Sequence, residues 1–223
     1  MNFTKIVETL LQGLPTTLFL VVMSFIFSIL IGIAIAWLYL RENFFLQLLA
    51  KIYLGIIRGT PPLLMLLIAY YGLPKLLEVI GININDWSKN FFAIAGLSIG
   101  WGAYLAEAFR SAYLSVDKGQ YEAGVTAGLS SQHIFVHIIM PQTLLIALPN
   151  IENLLIGLIK ATSLVYVIGI ADMYTLATDL SNKSQGAYQL GIFVTLAFAY
   201  WIVVISVEFI FKVFQDHYKY VKA

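Results

Sequence analysis

The chain has 223 residues, 60% of them hydrophobic and only 11% charged, with a mean hydropathy of +0.86. A soluble domain carries roughly 25% charged residues, so this surface is solvated largely by lipid. Thirteen basic and twelve acidic side chains nearly cancel, which excludes a strongly charged partner such as nucleic acid. The lack of cysteine excludes a disulfide framework, a thiolate metal site and a cysteine nucleophile.

No charge interrupts the sequence between Glu8 and Arg41. Such a run exceeds a signal peptide's apolar core of about 7–15 residues. It predicts a retained membrane helix over 15–40, with Pro15 in its first turn, where a missing N–H does no harm. A second span is expected over 52–71, stopped by Gly72, Leu73 and Pro74. A polar stretch over 75–90 leads to a third span over 91–109, ended by Arg110. Residues 111–142 form the longest polar segment. The fourth span falls within 144–170 and contains Glu152 and Lys160. A polar loop over 172–189 precedes the fifth span, 190–211. Backbone groups in lipid must find internal partners, so the spans are helices. The fold class is an all-α polytopic membrane protein with five transmembrane helices, forming a single domain over 1–223.

Basic residues set the orientation. One side holds Arg41, Lys51, Arg58, Arg110, Lys118, Lys212, Lys219 and Lys222; the other holds Lys5, Lys75, Lys89 and Lys183. The richer side is expected in the cytoplasm, together with the C-terminus and the 111–142 loop, leaving the N-terminus outside.

Within that loop, residues 119–141 read GQYEAGVTAGLSSQHIFVHIIMP. The pattern predicts a short helix carrying Glu122 and Ala123, and a C-cap at Gly128, where a left-handed backbone is tolerated. Ser130 then N-caps a second helix. Ile134, Phe135, Ile138 and Ile139 share a face of that helix, and Pro141 stops it. A hairpin with an acid and an apolar stripe at a membrane face is either a docking element or a passive interfacial connector.

The spacing Glu122-Ala123, Gly128, Ile138 and Pro141 resembles the E-A-A signature of ABC-importer permeases. Gly124 replaces the second Ala, and Met140 replaces a Leu. Further blocks resemble the polar amino-acid branch of that family: Arg58–Pro61 with Tyr70–Pro74, Ala103–Glu107 with Phe109-Arg110 and Lys118–Gln120, and Lys160–Leu164 with Val167–Gly169. The resemblance implies a type I importer permease fold. Two permease copies, or this chain and a sister permease, would pack around a path. A cytoplasmic ABC ATPase would engage the hairpin through Glu122, Ala123, Gly128, Ile138 and Pro141, and an extracellular or periplasmic solute-binding protein would deliver substrate. The chain has no G-x-x-x-x-G-K-[ST] loop, so ATP is expected on the partner ATPase and no cofactor in this chain. The resemblance also implies a bacterial inner-membrane location and no enzymatic activity in this chain.

Ionisable residues inside a span are functional candidates. Lys160, followed by Thr162 and Ser163, falls where the resemblance puts the substrate path; a lysine there can meet an α-carboxylate. The same resemblance carries Thr60, Met65 and Tyr104 to that path. Glu152, eight positions before Lys160 and about 12 Å away along a helix, either faces an α-amino group or pairs with a neighbouring helix. A helix-pairing role is also open for Lys160. Glu107 and Arg110 at i, i+3, and Glu208 and Lys212 at i, i+4, read as ion pairs, and Arg58 as a snorkelling residue. His133 and His137 at i, i+4 lack an evident third ligand, so no metal site is expected. Trp87, Trp101, Tyr70, Tyr71 and Tyr188 suit an interfacial belt or the lining of a path, and Gly96, Gly100 and Gly102 suit close helix packing.

Ala161 stands where relatives that carry basic amino acids can have an acid, and Met65 where many have Gln. Residues 102–104 and 116–120 are similar to those of cystine permeases. A zwitterionic or sulfur-containing amino acid is therefore expected as cargo. Two rivals are a partner subunit that never touches substrate and a polytopic membrane enzyme. The scattered acids do not form the paired carboxylates that the enzyme would need.

Overall fold

The computed structural model describes residues 2–219, and every element in it is helical. Lys222, counted in the charge tally above, lies outside the described residues. Four helical runs are long and apolar enough to cross a membrane: Phe3–Leu40, Lys89–Leu114, Ser131–Ile168 and Gln189–His217. A bent helix pair supplies a fifth crossing when its two arms are taken together.

Helix α1, Phe3–Leu40, starts twelve residues earlier than expected, and Pro15 lies inside it rather than in its first turn. Tertiary burial outweighs the lost backbone bond. Ile6 and Leu10 are buried against Met173, Ala177, Leu180, Ile192 and Leu196, and each fully buried aliphatic side chain contributes about 1.5–3 kcal/mol.

The expected straight second span is instead two helices, α2 (Phe44–Gly59) and α3 (Pro62–Glu78), meeting at 109°. Each residue before a proline is pushed out of the α region. Thr60 precedes Pro61 and has ψ 126°; Pro61 precedes Pro62 and has ψ 141°. Two successive extended residues break the helix. Gly72 and Pro74 do not stop α3, which runs on to Glu78.

Helix α4, Lys89–Leu114, is the central post, N-capped by the Ser88 hydroxyl. It runs parallel to α1: Ser98 Oγ donates to the Ser24 carbonyl at 3.2 Å, and farther along Leu105 packs on Gly32. Arg110 does not end it, because Glu107 and the Tyr39 ring hold that guanidinium against the helix. Gly96 and Gly102 meet α3 and α1 closely, as expected, whereas Gly100 faces open space. Trp101 is no belt residue. It is buried, and its indole N–H donates to the Leu154 carbonyl at 2.8 Å. Trp87, Tyr71 and Tyr188 are exposed, as a belt requires.

After α5 (Lys118–Thr126), the chain passes through α6 (Ser131–Ile134), a π-helical turn (Phe135–Ile139) and α7 (Met140–Ala161). Pro141 therefore does not stop the second hairpin helix; it sits in the first turn of α7, where proline needs no N–H partner. A 3₁₀ segment, Thr162–Ile168, follows and ends at Gly169 in the left-handed region. The expected polar loop over 172–189 is mostly helix α8, Met173–Lys183. Met173, Ala177 and Leu180 form a buried stripe at helical spacing against α1 and the final helix, α9 (Gln189–Lys219). Gly13 permits that seat, since a Cβ there would meet the Met173 nitrogen at 2.5 Å.

Candidate functional site

Helices α7 and α9 run antiparallel, and the top of α7, the start of the 3₁₀ segment, α8 and α9 border an open niche of about 470 Å³. Lys160 and Ser163 line one side. Tyr174, Phe193, Tyr200 and Trp201 form aromatic walls, with Leu196, Ala197 and Val204 completing it. Lys160 is exposed to this space and has no hydrogen bond or ion pair from its ammonium among the described residues. The Ser163 hydroxyl is occupied, donating to the Lys160 carbonyl at 2.7 Å.

The other expected path residues are arranged differently. Thr162 is fully buried and donates to the Ile159 carbonyl at 2.7 Å, so its hydroxyl closes the end of α7 rather than facing the niche. Glu152 accepts from Gln215 Nε2 at 2.9 Å, near the far end of α9. It does not share the niche with Lys160. Met65 is buried, packed against α4 beside Gly96. Thr60 donates to the Ile56 carbonyl at the α2–α3 break, and the Tyr104 hydroxyl lies 3.5 Å from the Arg58 carbonyl. None of these three lines the niche.

Two residues that sequence patterning did not single out meet here: Tyr200 in the niche wall and Asp172 behind it. Asp172 is fully buried and N-caps α8: its Oδ1 accepts the Thr175 N–H at 2.8 Å and the Thr175 hydroxyl at 2.7 Å. Its other oxygen accepts the Tyr200 hydroxyl at 3.4 Å, and the Tyr174 N–H also bonds the carboxylate. Tyr200 also stands beside the Thr162 hydroxyl. An Asp directly before apolar residues at helical spacing is a helix-start signal, so α8 was readable. The Asp172–Tyr200 contact, made across 28 positions, leaves no local trace.

At the hairpin end of the molecule, Glu107 is shared by two cations. Arg110 binds it through two bonds of 2.6 and 3.0 Å, and Arg58 approaches to 3.9 Å. The i, i+3 pair forms as expected, and Arg58 joins it rather than only snorkelling. Glu208 and Lys212 do not pair, and both are exposed.

The hairpin caps follow the expected chemistry. Asp117 Oδ1 accepts from the Gly119 N–H and opens α5. At the other end Gly128 has φ +77°, with Leu129 N–H donating to the Gly124 carbonyl and Gly128 N–H to that of Val125. That pair of bonds is a Schellman closure. The Ser130 hydroxyl then accepts from the His133 N–H. Ile134 and Ile139 are buried and Ile138 half-buried, but Phe135 is exposed, because the π turn rotates it off the inner face. Gly124 lies directly on Ile134, where a Cβ would sit 2.7 Å from Cγ1. The departure from the E-A-A pattern is thus matched to its neighbour. Glu122 is exposed and its carboxylate has no partner among the described residues; exposed Tyr121, Val125 and Leu129 flank it. His133 and His137 stack at 4.1 Å between ring centroids.

Residues 28–220 match the model of the binding-protein-dependent transport system inner membrane component family. The chain belongs to that family. This permease is 34% identical over 213 residues to the L-cystine transport system permease protein TcyL of Bacillus subtilis, covering 96% of this chain and 88% of the relative. It is 36% identical over 179 residues to the histidine/lysine/arginine/ornithine transport system permease protein HisQ of Salmonella typhimurium, covering 78% of each. The crystal structure of an amino acid ABC transporter with histidines superposes with a TM-score of 0.83 at 27% identity, over 97% of this chain and 99% of that one. The MetNI methionine ABC transporter shares the fold, with a TM-score of 0.72 at 18% identity, over 92% of this permease and 96% of that chain. The permease is therefore a multi-pass inner-membrane transport protein with the type I importer fold.

Proposed function

We propose that this permease carries a zwitterionic amino acid into the cell as one half of a dimeric path. ATP is bound and hydrolysed by a separate cytoplasmic ATPase, and substrate is delivered by a solute-binding protein on the opposite face. The observation that carries the amino-acid reading is Lys160. An ammonium inside a span costs at least about 2.5–3.5 kcal/mol, and this one faces a niche of about 470 Å³ without a protein counter-ion. A substrate carboxylate is the complementary group. No acid lines the niche, and Ala161 supplies none beside Lys160, so a cationic side chain finds no partner there. The kinship to TcyL supports cystine as one such cargo.

Energy enters at the hairpin. Glu122 and the exposed Tyr121, Val125 and Leu129 form the face that the ATPase grips, which puts this end and the C-terminus in the cytoplasm and the N-terminus outside. The Lys and Arg bias between the two ends agrees.

Two variants separate the roles. In proteoliposomes holding the permease, its ATPase and its binding protein, Lys160→Met abolishes uptake while the ATPase remains bound and active. Glu122→Ala lowers ATPase co-purification and leaves the niche intact. Wild-type uptake in Lys160→Met removes the carboxylate role, and undiminished co-purification of Glu122→Ala removes the docking role.

A further inference from the structure

Helix α2 runs across the bundle rather than along it. Helix α3 stands against α4, with Leu66 on Gly96 and Tyr70 on Phe92, and α2 turns away from α3 by 109°. Its 16 residues, about 24 Å of helix, therefore lie closer to the membrane plane than to the crossing direction. The seat is the hairpin end of α1 and α4. Leu54 packs with Ala103, Ala106, Ile35 and Tyr39, and the Tyr53 hydroxyl donates to the Ile99 carbonyl at 2.6 Å. Only one side of α2 is used in that seat. On the opposite side Phe45, Leu49, Ile52 and Ile56 fall at i, i+4, i+7 and i+11, the spacing of a single helix face, and they are 73%, 60%, 49% and 62% exposed. Lys51 and Arg58, seven residues apart, share one flank between the two sides. A transverse helix with an apolar outer face and a basic flank has the form of an interfacial helix.

The charges around α2 select the kind of lipid. The Arg41 guanidinium, at the end of α1, lies 4.1 Å from the Trp37 ring centroid, and Lys51 Nζ lies 5.7 Å from that of Tyr39. An aromatic face holds a cation in place without neutralising it. Both cations are exposed, and no ion pair joins either to an acid among the described residues. Adjacent Glu42 forms none with them, and Glu107 is engaged by Arg58 and Arg110. We infer that α2 lies in the lipid interface with its outer face among the acyl chains, and that Arg41 and Lys51 bind the phosphates of anionic phospholipids. Helix α2 is continuous with α3 through Pro61-Pro62 and is tied to α4 by Arg58 on Glu107. Anionic lipid bound there steadies the bend between the two arms. The inference is independent of what the niche carries.

The test uses the permease–ATPase complex in lipid nanodiscs. The chain has no cysteine, so Leu49→Cys and Ile52→Cys each provide a single site for a fluorophore, attached before the ATPase is added. Lipids carrying a nitroxide near the chain carbonyl or at the chain end report depth, and both positions are expected to be quenched more by the carbonyl-level probe. Stronger quenching from the chain end would make α2 an ordinary crossing arm, and quenching from neither would mean that protein covers the face; each result overturns the inference. Selectivity is read with the nitroxide on phosphatidylglycerol or on phosphatidylcholine. A basic residue near an anionic surface favours it by about fivefold, so labelled phosphatidylglycerol should quench at a several-fold lower mole fraction. That advantage should shrink as salt is raised. Arg41→Gln combined with Lys51→Gln should remove most of the advantage while the depth stays the same. Equal quenching by the two lipids in the wild type, or an advantage that survives the double substitution, overturns the anionic site. A double variant that loses depth and selectivity together would make the two cations structural supports, which also overturns it.

Discussion

Gly13 shows how one side chain's absence sets the geometry of the niche. A Cβ there would meet backbone atoms of Asp172 and Met173 at 2.5–2.8 Å, and backbone cannot rotate away as a side-chain tip can. Gly13→Ala must separate α1 from α8, at a cost of about 1–3 kcal/mol, and the move displaces Asp172 from Tyr200. Thermal unfolding of the purified permease should show a midpoint several degrees lower. Gly55→Ala, where nothing lies within 4 Å, serves as the control and should leave the midpoint unchanged or raised. Equal midpoints for both variants would contradict close packing at Gly13. Lys160 was legible as a candidate because a charge inside an apolar run stands out against the bilayer's cost. Asp172 was legible as a helix start but not as a site residue, because its contact with Tyr200 spans 28 positions. Glu152 carried the same sequence signal as Lys160, yet it meets Gln215, since partner choice is decided across helices rather than along one.

Among the elements, the hairpin followed from sequence almost completely. Its caps are local chemistry: Asp117, Gly128 and Ser130 act on backbone groups within five residues of themselves. The α2–α3 bend did not, although Pro61-Pro62 states it, because a mostly apolar segment of span length reads as a single span even with Arg58 inside it. The bend has a measurable length. Helix rise puts residues 48 and 68 about 30 Å apart in a straight helix and about 18 Å apart across the observed break. The chain has no cysteine, so single cysteines at Leu48 and Ile68 can be spin-labelled cleanly. Pulsed electron resonance should give the shorter separation in the wild type and the longer one when Pro61 and Pro62 are both replaced by alanine. The same distance in both would mean that packing on α4, rather than the two prolines, holds the bend.

At the scale of the whole molecule, the architecture joins the hairpin face and the niche, which lie at different depths. The hairpin passes through a π turn into α7 without a break, so α7 is a continuous strut from the exposed hairpin face to the niche at Lys160. Under the proposed coupling, a force applied at Glu122 on α5 passes through the Gly124–Ile134 contact into α6 and then along α7 to the niche. The apolar surface of this fold also exceeds what one chain buries: α1 and α9 expose large aromatic and aliphatic side chains along most of their length. Lipid and a second permease are the two natural covers for it. The five expected crossings survive as four continuous helical runs and one bent pair. What changed was where helices begin and end, since tertiary burial of Ile6, Leu10 and Met173 outweighs the local signals at Pro15 and in the 172–189 segment.

The central claim is ATP-driven amino-acid import through this permease, and accumulation tests it most directly. The permease, its co-purifying ATPase and its binding protein would be reconstituted in proteoliposomes and offered radiolabelled cystine, glutamine, histidine, arginine and glutamate, with and without internal ATP. The account predicts ATP-dependent accumulation of a zwitterionic member, with arginine excluded. Failure to accumulate any of the five, despite a bound and active ATPase, would contradict it.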